Sequence, residues 1–263
     1  MTASAPDLEQ AGLRLDIDDA RPAGAVATVT LDRPQRRNAM TPSMWSGLAD
    51  IGASLPENVR VVVVRGEGPS FCAGLDLRLL TPEGVPGEDP FPGLTDPGLE
   101  ERIASFQEGF TWLRRPDFVT IAAVRGHAIG GGFQLALACD IRVLADDAKL
   151  SMKEPALSLV PDLTGTKPLV DLVGLPRALE LCLTTRTVEA AEARELRLAE
   201  IVVPVAELDA TVADLSAALL GTDAATARAT KALLQQAPAH TLPQQAAAER
   251  RAQVELQQSH FRS

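Results

Sequence analysis

The sequence predicts an α/β fold with a helical C-terminal region. Strand-like and helix-like segments alternate over the first two-thirds of the chain, and helical periodicity takes over after Asp162. With 263 residues and 46% hydrophobic content, the chain can bury a full core, so one large domain, or one with a small appendage, is expected.

Residues 1–12, rich in Ala, Pro and polar groups, read as a loose tail. From Ala25 to Leu31 apolar residues and Thr alternate as in a strand, Val26, Thr28 and Thr30 against Ala27, Val29 and Leu31. Thr41-Pro42 supplies an N-cap and a first-turn proline. Met44, Leu48, Ile51 and Leu55 follow at helical spacing, so an amphipathic helix begins there. Residues 60–65, built around Val61-Val62-Val63-Val64, predict a strand covered on both faces. The stretch 81–98 carries five prolines and four glycines, so no regular element is expected. A loop of this kind is either a functional lid or a mobile insertion. Residues 118–124 form the next strand candidate, followed by glycine punctuation and an apolar helix over about 131–138. Further strands are expected at 141–144 and 149–152. Leu208, Val212, Leu215 and Leu219 mark one late helix, and the Ala-, Gln- and Glu-rich stretch 244–261 another. No short solenoid-type repeat is present.

Composition excludes several roles. The net charge of −10, from 25 basic and 35 acidic side chains, repels a phosphate backbone and argues against nucleic acid as the partner. With no tyrosine and 3% aromatics, base-stacking platforms are not expected either. The three cysteines, Cys72, Cys139 and Cys182, are far apart and read as small buried hydrophobes. His127, His240 and His260 are equally scattered, so no metal site is expected. Apolar runs are far shorter than the roughly 20 residues of a membrane span, and no secretory leader pattern opens the chain. The expectation is a cytoplasmic protein with no membrane partner.

Chemistry concentrates in two glycine-containing turns. In Val124-Arg125-Gly126-His127-Ala128-Ile129-Gly130-Gly131-Gly132-Phe133-Gln134-Leu135, three glycines stand between a strand and a helix. Glycine lets a ligand approach the backbone, and a helix N-terminus offers unpaired N–H groups suited to an oxyanion. Alone, the triplet fits an ordinary tight turn equally well. The second turn, Phe71-Cys72-Ala73-Gly74-Leu75-Asp76-Leu77, follows the 60–65 strand.

Together the two turns resemble the paired signatures of the enoyl-CoA hydratase/isomerase (crotonase) family. Leu31-Asp32-Arg33-Pro34-Gln35-Arg36-Arg37-Asn38-Ala39-Met40 resembles its "L-x-RP-x-x-x-NA" segment, and Ala138-Cys139-Asp140-Ile141-Arg142 its "CDI" strand start. The resemblance runs in register from about residue 25 to 205. It implies a spiral of ββα units over residues 1–195 and a helical region over 196–263 that serves oligomerisation and covers the active site. It also implies a homotrimer or dimer of trimers. The substrate would be an acyl-CoA thioester, with coenzyme A arriving as part of it and no separate cofactor.

Carried over residue by residue, the thioester oxygen would be held by the N–H groups of Leu75 and Gly131. Gly130, Ala73, Asp76 and Leu77 would border the substrate, the last three chiefly through backbone atoms. Arg36 and Arg37 suit the CoA phosphates, as guanidinium forks do, although a solvated basic turn explains them nearly as well. Family hydratases carry one glutamate two residues after the glycine triplet, where this chain has Gln134, and a second that matches Glu154. An amide cannot move a proton at neutral pH but can hold a water or a substrate group, so two-glutamate hydration is disfavoured. Asp162, eight residues after Glu154, resembles the second carboxylate of the family's dienoyl-CoA isomerases. In those enzymes two carboxylates face opposite sides of the acyl chain and pass a proton through a dienolate. Asp162 as a helix N-cap and Glu154 as a strand-end surface residue are the simpler readings. Asp140, Arg142 and His127 are expected to serve the fold. The reading is an acyl-CoA double-bond isomerase using Glu154 and Asp162. The alternatives are hydration of a 2-enoyl-CoA by Glu154 with Gln134 holding the water, and an acyl-CoA-binding protein without turnover.

Overall fold

The computed structural model describes residues 5–88 and 98–260. In chain order the elements are α1 (Ala5–Gln10), β1 (Leu13–Asp18), β2 (Ala25–Leu31), α2 (Pro42–Ser54), β3 (Val59–Gly66), α3 (Leu99–Thr111), β4 (Val119–Val124), β5 (His127–Ile129) and α4 (Gly131–Ala138). They continue with β6 (Ile141–Ala145), β7 (Lys149–Ser151), α5 (Thr166–Thr184), β8 (Val188–Glu189), α6 (Ala190–Glu195), β9 (Ile201–Val203), α7 (Leu208–Leu220), α8 (Ala224–Gln236) and α9 (Leu242–His260). Short 3₁₀ turns link several of them.

The valine run of β3 organises the molecule. Among the described residues, six strands form one sheet in the order β1-β2-β3-β4-β6-β9, parallel except for β1 against β2. Val62 and Val64 join Ala122, Val124 and Leu144 in the main core on one face. Val61 and Val63 join Ile121, Ala123 and Val143 on the other, where Leu208 and Val212 of α7 close a second core. Both faces of β3 are covered, as its unbroken apolar run requires. Thr41 caps α2 by accepting from the Met44 N–H at 3.3 Å, with Pro42 in the first turn. A small second sheet, β5-β7-β8, stands apart from the first, and a bridge between Cys72 and Ala128 lays the turn after β3 along it.

The structure departs from the sequence reading at several places. Residues 5–12 are not a loose tail: α1 forms, and Leu8 and Ala11 are buried in the main core. Residues 1–4 lie outside the described residues. β1, β5, β8 and β9 were not foreseen; β1 alternates apolar with charged residues, and the others span only two or three residues each. The expected irregular stretch 81–98 is irregular over 81–88, and its residues 89–97 lie outside the described ones.

The chain beyond residue 195 is mostly helical yet returns to the sheet through β9 and α7. α8 is tied in by Lys231, whose buried ammonium donates to the Phe118 carbonyl and to Asp140, both at 2.7 Å. Asp140 also accepts from the Thr120 N–H, and the Arg142 guanidinium donates to the Leu198 and Cys139 carbonyls and to Glu200. These charges serve the fold.

Candidate active site

Two turns meet at one wall. Cys72 donates its N–H to the His127 carbonyl at 2.8 Å and accepts from Ile129 at 2.9 Å, which aligns the 72–75 turn with β5. Gly74 has φ +83°, and a Cβ there would stand 2.6 Å from the Ile129 carbonyl oxygen. Only glycine allows this approach. Met40 donates to the Gly74 carbonyl and accepts from Asp76, the residues on either side of Leu75. The Leu75 N–H is left without an acceptor among the described residues. Gly131 opens α4, so its N–H is one of the first-turn donors that no helix carbonyl can take. Leu75 and Gly131 both line one cavity of about 950 Å³, together with Gly130, Glu154 and Asp162.

Glu154 begins a 3₁₀ turn just after β7 and is 9% exposed. Its Oε1 accepts from Gln134 Nε2 at 2.6 Å, while its Oε2 is buried with no partner among the described residues. Burial pushes this carboxyl above its ordinary range and repulsion from Asp162 adds to the effect, against opposing hydrogen bonds from its own backbone N–H, from Gln134 and from the Lys153 backbone. Gly130 adopts φ +52°, and a Cβ there would stand 3.2 Å from Glu154 Oε1, so the glycine lets the carboxyl lie against the turn. Asp162 is half-buried, and burial raises its carboxyl as well. Its backbone carbonyl accepts from Gln107 Nε2 at 2.6 Å, which ties this loop to α3. The capping role considered for Asp162 does not apply to α5, which starts at Thr166 with Gly165 at the N-cap position.

Trp45 of α2 and Phe106 of α3, with ring centroids 4.6 Å apart, line the same cavity. Leu79, Ile103 and Leu163 add to an apolar wall. The arrangement offers two unused amides, two carboxyls with raised proton affinity, and an oily chamber beside them. That set can stabilise a thioester enolate and move a proton along its acyl chain.

Comparison with known proteins agrees. Residues 21–263 match the family model for enoyl-CoA hydratase/isomerase. The chain belongs to this family. A peroxisomal Delta(3,5)-Delta(2,4)-dienoyl-CoA isomerase of Arabidopsis thaliana is 33% identical over 216 residues, 80% of this chain and 77% of that protein. A candidate enoyl-CoA hydratase of Thermobifida fusca YX, solved in complex with CoA, is 58% identical with a TM-score of 0.94, over 100% of this chain and 99% of that one. A second structure from that organism, in complex with acetoacetyl-CoA, is 59% identical with a TM-score of 0.93, over 98% and 100%. The fold is the crotonase fold with a helical C-terminal region.

Within this family member, the remaining sequence candidates divide. Ala73 and Leu77 line the cavity, and Ala73 donates its N–H to the Arg37 carbonyl, placing the Arg36-Arg37 turn beside it. Arg36 itself is exposed and does not line the cavity. Asp76 does not line the cavity: its carboxylate accepts from Arg78 at 2.7 Å and Arg33 at 3.1 Å, and its N–H goes to Met40. The Arg78 and Arg33 hydrogen bonds hold it at about 2.

Gln134, expected at the substrate, is fully buried behind the cavity wall and bonded to Glu154, Leu163 and Gly165. Trp45, Phe106 and Gln107 were missed. The sequence held only a weak signal for them, the three-residue spacing of Ile103 and Phe106 on one helix face. Among the described residues no cluster of His, Cys, Asp and Glu could hold a metal ion, and no helix is long and apolar enough to cross a membrane.

Proposed function

We propose that this protein moves a double bond in an enoyl- or dienoyl-CoA. The observation that carries the reading is the pairing of Glu154 and Asp162 on one apolar cavity while Gln134 stands behind the wall. The thioester oxygen sits between the N–H groups of Leu75 and Gly131, each donor worth about 3 kcal/mol toward the enolate. Glu154, packed against Gly130, takes the α-proton. Asp162 returns a proton farther along the conjugated system, and the apolar chamber excludes water from the dienolate. Hydration by a water held between two acid/base groups fits less well, because the Gln134 carbonyl oxygen already accepts two backbone amides.

A second reading, hydration of a 2-enoyl-CoA with Glu154 as the main acid/base, is favoured by the Thermobifida fusca neighbour described as a candidate enoyl-CoA hydratase. Incubation with a 3,5-dienoyl-CoA and a 2-enoyl-CoA separates the two. Conversion of the dienoyl thioester to its 2,4-isomer is expected. Loss of enoyl absorbance with an untouched dienoyl thioester would replace isomerisation by hydration. Calorimetric acyl-CoA binding with neither change would leave a binding protein.

The same reading makes the protein a cytoplasmic homotrimer or dimer of trimers, with CoA supplied by the substrate alone and Arg36 at its phosphates. The described residues that line the cavity fall between Trp45 and Leu163, so on this reading the 196–263 region of a neighbouring subunit covers the mouth. Exposed Leu234, Leu242 and Val254 provide apolar surface for that assembly.

A further inference from the structure

We infer that Gln134 is a positioning residue: it fixes which oxygen of Glu154 carries the travelling proton and holds the Asp162 loop in register with that oxygen. The inference rests on the proton-shuttle reading above.

The geometry leaves the amide one orientation. Gln134 Oε1 accepts from the Leu163 N–H at 2.9 Å and the Gly165 N–H at 3.1 Å. Both partners can only donate, so a flipped amide would set its NH₂ against two N–H groups. Nε2 therefore always points at Glu154 and donates to Oε1 at 2.6 Å. Oε1 is permanently engaged as an acceptor. The proton is left to Oε2, the buried oxygen that has no partner among the described residues.

The same side chain reaches the second carboxyl through the backbone. Leu163 and Gly165 flank the loop immediately after Asp162, so one amide grips both halves of the shuttle. Close packing protects the grip: a Cβ at Gly165 would lie 2.5 Å from Gln134 Cγ. An alanine at 165 would push Gln134 away without touching the cavity.

A glutamate at 134 could accept the same two backbone amides. Its other oxygen would then meet Glu154 Oε1 with no hydrogen between them, and the pair would have to share a proton. Unlike a glutamate, the amide donates toward Glu154 at every pH. Among the described residues, the other titratable groups facing Glu154 are Asp162 and the thiol of Cys182 on α5. The neighbouring Lys153 ammonium is engaged by the Thr185 carbonyl at 2.6 Å.

The test is an infrared titration of the Glu154 carboxyl in the full-length protein, with E154Q as the blank. Q134A, Q134E and G165A are compared with wild type, alongside turnover of a 3,5-dienoyl-CoA and a 2-enoyl-CoA. Loss of the donated hydrogen bond disfavours the carboxylate, so the midpoint should rise by about one pH unit in Q134A. It should rise further in Q134E and move in the same direction in G165A. The acidic limb of kcat should shift with it, while acyl-CoA affinity stays within a few-fold of wild type. Coincident midpoints in all four proteins would overturn the inference whatever the rates do. Shifted midpoints in a protein that turns over neither thioester would instead overturn the shuttle reading and leave the hydrogen-bond link standing.

Discussion

The turn that carries Asp76 and the turn that carries Glu154 flank the same cavity, yet they bury their carboxylates in opposite ways. Asp76 is 5% exposed and receives hydrogen bonds from Arg78 and Arg33, which hold it ionised at about 2. Glu154 is 9% exposed and receives only neutral donors, the Gln134 amide and nearby backbone N–H groups, and its Oε2 has no close hydrogen-bond partner among the described residues. Burial and the nearby Asp162 then raise its proton affinity. Depth alone does not make a proton carrier. The number and charge of the donors decide whether a buried carboxylate becomes a rivet or a base.

The largest expected effect falls on turnover. E154Q should lower kcat by about 10²–10⁴-fold, the usual worth of a general acid/base, while acyl-CoA binding by calorimetry is unchanged. A loss smaller than about tenfold would remove Glu154 from the chemistry. D76N should do the reverse, keeping turnover within a few-fold and lowering unfolding stability by about 2 kcal/mol at pH 7. The sign follows from the depressed carboxyl, taken from an ordinary 3.8 to about 2. Its stabilisation is complete above the upper value and lost as pH falls through the lower one. Urea titrations of wild type and D76N should therefore converge near pH 2, and a gap that persists there would point to packing rather than charge.

The smallest effect is a gain. The folded state of Glu154 binds its proton more readily than the unfolded chain, whose ordinary value is 4.5. The ionised carboxyl therefore costs stability increasingly as pH rises above that value. E154Q should stabilise the protein at pH 7, the trade expected of a buried catalytic carboxylate. A less stable E154Q would mean that Glu154 is a rivet after all.

Much of this was legible in the residues. Thr41-Pro42 announces α2, the Val61–Val64 run announces a doubly covered strand, and the two glycine turns announce the site. Local rules suffice there because cap, periodicity and steric demand lie within a few positions of each other. What stayed hidden depends on distant partners. The guanidinium that immobilises Asp76 comes partly from Arg33, 43 positions away. The amides that orient Gln134 belong to Leu163 and Gly165, and nothing in a leucine or a glycine marks its N–H as a donor to a residue 29 or 31 positions earlier. α1 was lost because a six-residue helix owes its stability to the packing of Leu8 and Ala11, not to propensity. α3, just beyond the proline-rich stretch, was not foreseen.

The central claim is that two main-chain amides grip one thioester oxygen. A crystal structure of the full chain with a dienoyl-CoA analogue bound measures it directly. The account predicts the thioester oxygen at roughly 2.7–3.1 Å from both the Leu75 and the Gly131 nitrogens, with the α-carbon beside Glu154 Oε2. A thioester oxygen bonded to neither amide, or an acyl chain directed away from Glu154 and Asp162, would contradict it.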